Sequence, residues 1–143
     1  MKPYISIEGD IEELNDLDLY MDLMYQANLK FYRAYPKAPR VIEVCRFKHE
    51  ADPNKERFIT ARKMLRLGKI AKLLGFTEED SEYPEFDCED FACAEAAWLT
   101  ANGREAKPYK YKSPYANKLH AVVRYTDTGE LYDPSLLVGM KEH

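Results

Sequence analysis

Leu14, Leu17, Met21, Met24 and Leu29 recur at intervals that align apolar side chains on one face of an α-helix. The pattern predicts a helix over about 11–32, with Asp10 or Asn15 as its cap and Pro36 and Pro39 beyond its end. Ahead of it, Tyr4-Ile5-Ser6-Ile7 fits a short strand. Behind it, residues 41–47 are β-branched enough for a strand, although irregular chain is compatible with the same residues. A second amphipathic pattern, Phe58, Ile59, Met64, Leu65, Ile70, Leu73 and Leu74, follows Asp52-Pro53-Asn54 and stops at Gly75. It predicts a helix over about 55–74. Residues 77–85, with Glu78, Glu79, Asp80, Glu82 and Glu85, read as an acidic loop. The alanine-rich stretch 91–102 predicts a third helix stopped by Gly103. The pattern then turns to strands at 105–111, 119–125 and 130–133, separated by a loop at 113–117 and a Thr126-Asp127-Thr128-Gly129 turn.

The expected fold class is therefore α+β, with N-terminal helices and the third helix packed on a small antiparallel sheet. A chain of 143 residues with 45% hydrophobic and 13% aromatic content buries one core, so one domain over 1–143 is expected. A formal charge of -4 gives no global attraction to nucleic acid or to an anionic membrane. No apolar run reaches the roughly 18 residues of a spanning helix, and Met1-Lys2-Pro3-Tyr4 does not resemble the start of a signal peptide. Three cysteines, an odd number, make free thiols the default, so a cytoplasmic location is expected.

Chemistry concentrates where the third helix begins, at Asp87-Cys88-Glu89-Asp90. With Asp87 as N-cap, Cys88 falls in the first turn, where free amides and the helix dipole favour a thiolate. The three flanking acids oppose that, so a nearby imidazolium has to decide the balance. His120, in Leu119-His120-Ala121-Val122-Val123, can supply it. If the turn pairs Tyr125 with Glu130, Val122 faces Asp133, and His120 and Asp133 become diagonal neighbours on one side of the ribbon. A slip of one residue would separate them. Cys93 lies about 140° around the helix from Cys88 and is assigned to packing. A competing zinc set would combine Cys45 and His49 with Cys88 and Cys93.

Together, Asp87-Cys88-Glu89-Asp90 with its alanine-rich helix, Leu119-His120-Ala121-Val122-Val123 and Tyr132-Asp133-Pro134 resemble the transglutaminase-like branch of the papain-like cysteine hydrolases. The likeness is to small bacterial and phage-encoded members that carry Gly-Asp-Cys-Asp-Asp, then His-Val or His-Ala, then Asp-Pro. It covers about 86–135 and departs from the pattern at Phe86 and Glu89. The resemblance implies a papain-like core, with Cys88 as nucleophile, His120 as general base and acid, and Asp133 orienting the imidazole. It further implies acyl transfer on a protein or peptide substrate with no cofactor or metal, and hydrolysis of a peptide or isopeptide bond is expected ahead of cross-linking because nothing in this short chain suggests an acceptor-amine site. For a phage-encoded member the host cytoplasm would be the location. Gln26 and Asn28 qualify as a second oxyanion donor by side-chain type alone.

The alternative is a non-catalytic binding module of the same fold. Arg57, Arg62, Lys63, Arg66, Lys69 and Lys72 would line one basic helix, over 57–72, that holds an acidic protein or nucleic acid.

Overall fold

The computed structural model describes residues 4–8, 14–49, 55–112 and 119–141. In chain order these form β1 (Tyr4–Glu8), α1 (Leu14–Ala34), α2 (Val41–Val44), β2 (Lys55–Ile59), α3 (Ala61–Leu73) and α4 (Cys88–Ala101). They continue with β3 (Ala106–Lys112), β4 (Leu119–Tyr125), β5 (Leu131–Tyr132) and α5 (Pro134–Leu137). The architecture is mixed α and β. Among the described residues there are five helices, a two-stranded sheet β1-β2 and a three-stranded antiparallel sheet in the order β3-β4-β5.

Two expected elements differ. Residues 41–44 form a single helical turn, after which the chain is irregular rather than a strand. The helix expected over 55–74 splits, because Lys55–Ile59 pairs antiparallel with β1 from Tyr4↔Ile59 to Glu8↔Lys55. A partner some fifty residues upstream supplies a ladder of hydrogen bonds, and tertiary pairing of that kind overrides local helix propensity. Helix α3 therefore starts one step later, at Thr60, whose side-chain oxygen accepts from the Lys63 amide at 3.3 Å. The proposed start at Asp52-Pro53-Asn54 and the loop at 113–117 lie outside the described residues.

Helix α4 occupies the centre. Phe91, Ala92, Cys93, Ala94, Ala96 and Ala97 are all buried, as expected of a helix that is apolar on every side. Its alanines let α1 pack on one flank and β3 and β4 on another. Phe86 and Phe91 meet edge to face at 6.3 Å between centroids and anchor the larger core cluster, while Phe58, Met24 and Cys93 belong to a second. No helix of the described residues is long and apolar enough to cross a membrane.

Helix α2 lies against α3 at Gly68, where an added Cβ would stand 2.9 Å from Cys45 Sγ and 3.1 Å from the Val44 carbonyl oxygen. Only hydrogen fits there. Gly68→Ala should therefore destabilise the protein by about 1–2 kcal/mol despite alanine's better helix propensity. Urea denaturation measures it, and an unchanged or raised midpoint would mean that the two helices do not approach this closely.

Candidate active site

The first turn of α4 is fixed by a reciprocal cap. The Asp87 carboxylate accepts from the Asp90 amide at 3.3 Å, and Asp90 Oδ2 accepts from the Asp87 amide at 3.1 Å. Asp90 also reaches across to β2, where its Oδ1 accepts from the Ile59 amide at 3.0 Å. This carboxyl is almost wholly buried, and burial pushes its pKa from 3.8 up to about 8 despite the hydrogen bonds it receives.

Cys88 sits inside that turn, half-buried, with the Ala121 amide of β4 donating to its sulfur. Burial is the main force on the thiol and pushes its pKa well above the ordinary value. The charges of Glu89 and Asp87 push the same way, and so does a hydrogen bond from the thiol to the Glu89 carboxyl. Glu89, itself buried, is driven up by loss of solvent and by Asp87. The contest foreseen between dipole and flanking acids thus goes to burial and the acids. The resting thiol keeps its proton.

The sheet brings the other two residues together. Val123 pairs with Tyr132 and Arg124 with Leu131, and the Tyr125 amide donates to the Glu130 carbonyl at 2.9 Å, which is the register that places Val122 opposite Asp133. His120 Nε2 lies 2.7 Å from Asp133 Oδ2. A carboxylate only accepts, so Nε2 carries the proton of that bond, and Nδ1 is the ring nitrogen that Asp133 does not engage. Asp133 cannot swing away easily, because its Oδ1 accepts from the Ser135 amide at 3.1 Å and caps α5, with Pro134 in the first position. One carboxylate thus holds both a helix end and an imidazole. His120 directly precedes Ala121, whose amide meets the Cys88 sulfur, so the three residues named from the sequence share one neighbourhood.

Two further residues join them. Tyr111, the cross-strand partner of His120, sets its ring edge-on to the imidazole at 5.7 Å between centroids. Its hydroxyl is pushed up by burial and by the nearby charge of Asp133. Glu95 stands two turns beyond Cys88 on nearly the same helix face. It is completely buried, is paired with Arg40, whose Nε lies 3.1 Å from Oε1, and accepts from the Tyr132 hydroxyl at 3.1 Å. The Arg40 guanidinium in turn lies 4.5 Å from the Trp98 ring centroid. Tyr132 immediately precedes Asp133, so this network fastens the strand that delivers the carboxylate. Sequence reasoning passed over both residues. The signals were there, since Tyr111 follows from extending the sheet register, and Glu95 is a lone acid in an alanine run, seven residues from Cys88.

The other candidates are engaged elsewhere. Asn28 Oδ1 accepts from the Ala61 amide at 2.8 Å, which secures α1 to the start of α3. Cys45 donates to the Met64 carbonyl at 3.2 Å and Cys93 to the Met21 carbonyl at 3.5 Å, while the His49 ring packs against Phe47. The zinc set does not assemble, and no group of three potential metal ligands occurs among the described residues. Comparison with protein-family models, with curated proteins and with solved structures finds no match for this chain.

Two expectations follow. Because folding raises the Asp90 pKa from 3.8 to about 8, the stability it contributes is complete below pH 4 and is lost as pH rises through 8. The difference in melting temperature between wild type and Asp90→Asn should therefore shrink across that window, and a gap that widens would refute the assignment. Tyr132→Phe, which removes one of the two donors to Glu95 Oε2, should cost about 1 kcal/mol in urea denaturation. It should also broaden the His120 Nε2–H signal in proton NMR. An unaltered signal would show that Asp133 needs no help from α4.

Proposed function

We propose that the chain is a thiol acyl-transfer enzyme of the papain-like, transglutaminase-like kind, hydrolysing a peptide or isopeptide bond with Cys88, His120 and Asp133. The observation that carries this reading is the 2.7 Å bond between His120 Nε2 and Asp133 Oδ2, formed on the strand whose next amide touches the Cys88 sulfur. An imidazole oriented by a carboxylate and a thiol at the start of a central helix, packed on an antiparallel sheet, are the parts such chemistry requires.

The Cys88 thiol is held protonated by burial and by Glu89 and Asp87, so the role of His120 is that of a general base toward it. As the Cys88 sulfur attacks the substrate carbonyl carbon, Nδ1 takes the thiol proton and Asp133 stabilises the resulting imidazolium. The carbonyl oxygen becomes an oxyanion, with the Cys88 backbone amide as one donor. On collapse the C–N bond breaks, the imidazolium protonates the departing amine, and a thioester remains. Water then attacks the thioester and gives a proton to Nδ1. The C–S bond breaks, the acid leaves and the sulfur regains its proton. No metal or cofactor enters these steps. All three cysteines are free, and a reducing compartment such as the cytoplasm keeps such a nucleophile active. The resemblance of the three motifs to phage and bacterial enzymes supports the same assignment.

A second reading keeps the fold and drops the catalysis. Helix α3 carries Arg62, Lys63, Arg66, Lys69 and Lys72 with no acidic residue, a face that could hold an acidic protein. Arg57 is no longer part of it, because it lies on β2. The His120–Asp133 bond on the strand beside Cys88 supports the enzyme.

Iodoacetamide labelling of Cys88 separates the two. For the enzyme, His120→Ala should slow labelling at pH 7 by about 10²-fold, with the gap closing at alkaline pH as solvent base takes over. Glu89→Gln should move the wild-type profile toward lower pH by removing a charge beside the sulfur. Mass spectrometry reads both, and a rate indifferent to His120→Ala would leave the binding module standing.

A further inference from the structure

A cleft of about 650 Å³ opens on the α3 side of Asp87, the residue that caps the Cys88 helix. Its size falls within the range of small-ligand sites. Four separate segments contribute to it: the chain after α2, strand β2, helix α3 and the loop leading to α4. Lys48, His49, Arg57 and Lys63 line it against two carboxylates, Glu85 and Asp87. Leaving the imidazole aside, three permanent cations face two carboxylates there, in a protein whose formal charge is -4. The Lys48 ammonium is held by neutral acceptors, the carbonyls of Asp80 at 2.5 Å and Tyr83 at 3.2 Å, so its charge is not cancelled there. Lys63 takes part in none of the ion pairs among the described residues. Beneath the charges, Ile59 and Leu67 give the cleft an apolar floor.

A concave site with fixed positive charge concentrates anions, while an apolar floor favours a ligand with a hydrocarbon stem. Asp87, which lines it, directly precedes Cys88 in the chain. We propose that this cleft is a substrate subsite that accepts an acidic side chain, a carboxylate on a short aliphatic stem, of the peptide whose bond Cys88 cleaves. The inference rests on the thiol reading for its role, but not for the binding itself. Lys63 is the contact that selects charge. Lys48 keeps the loop at 80–83 in position as the wall of the cleft.

The test uses two probes that differ only in charge, N-acetylglutamate amide and N-acetylglutamine amide, titrated into the full chain carrying Cys88→Ala and followed by amide NMR. The glutamate probe should shift the Lys63 and Leu67 signals and bind about five-fold more tightly than its neutral isostere at low salt, the scale of one partly exposed ion pair. Lys63→Gln should bring that ratio close to one. In the protein without substitution at Lys63, raising the salt should do the same. With Cys88 intact, the glutamate probe should also slow iodoacetamide labelling of that residue. Equal binding of the two probes, a ratio unmoved by Lys63→Gln, or labelling untouched by the probe would each overturn the proposal. Displacement of the glutamate probe by equimolar inorganic phosphate would reassign the cleft to a phosphate-bearing ligand and likewise overturn it. Probe discrimination that persists while labelling ignores His120→Ala would sink the thiol chemistry and leave the anion site intact.

Discussion

A carboxylate with no contact with water must be partnered, and Glu95 is the buried charge around which this protein is arranged. Its two oxygens take Arg40 from the chain before α2 and Tyr132 from β5, so three stretches far apart in sequence meet on one helix. Removing one partner of such a pair commonly costs about 3–5 kcal/mol, because the other is left charged and dry. Replacing the whole set by apolar residues would cost far less. The value of the ion pair is therefore in what it specifies. It allows β5 one position relative to α4, and with β5 goes Asp133. The His120–Asp133 pair takes part of its geometry from a contact two helical turns beyond Cys88.

The acids at the head of α4 have divided roles. Asp87 and Asp90 close the reciprocal cap, and Asp90 also binds the end of β2. Glu89 faces the thiol and raises its pKa together with burial. A helix start would on its own favour a thiolate, yet the acids and the low-dielectric surroundings outweigh the partial charge of the free amides. What results is a thiol that keeps its proton although it stands at a helix start.

Legibility in the sequence follows from how local each determinant is. The cap at Asp87, the extent of α4 and the Thr126–Gly129 turn are set by neighbours a few residues apart. From that turn alone the pairing of Tyr125 with Glu130, and hence the meeting of His120 with Asp133, could be deduced. The strand at Lys55–Ile59 could not, because its partner is β1 and nothing within the window 55–74 distinguishes a strand followed by a helix from one longer helix. Val41–Val44 is similar, a β-branched run that helical packing against Gly68 holds in a single turn. Tyr111 and Glu95 stayed hidden for another reason. Each becomes meaningful only when a second element is laid across it.

The closing turn of the chain has one more implication. The Val138 carbonyl accepts from the Phe47 amide at 2.9 Å, and the Val138 side chain is buried in the main core. The segment from Asp133 to Val138 is thus stitched at both ends, to the imidazole at one and to the chain beyond α2 at the other. A protease that nicked this short span would leave the helices and most of the sheet in place while releasing the carboxylate from its hold on the ring. The orientation of the His120 ring thus depends on the integrity of a six-residue segment whose far end is part of the core.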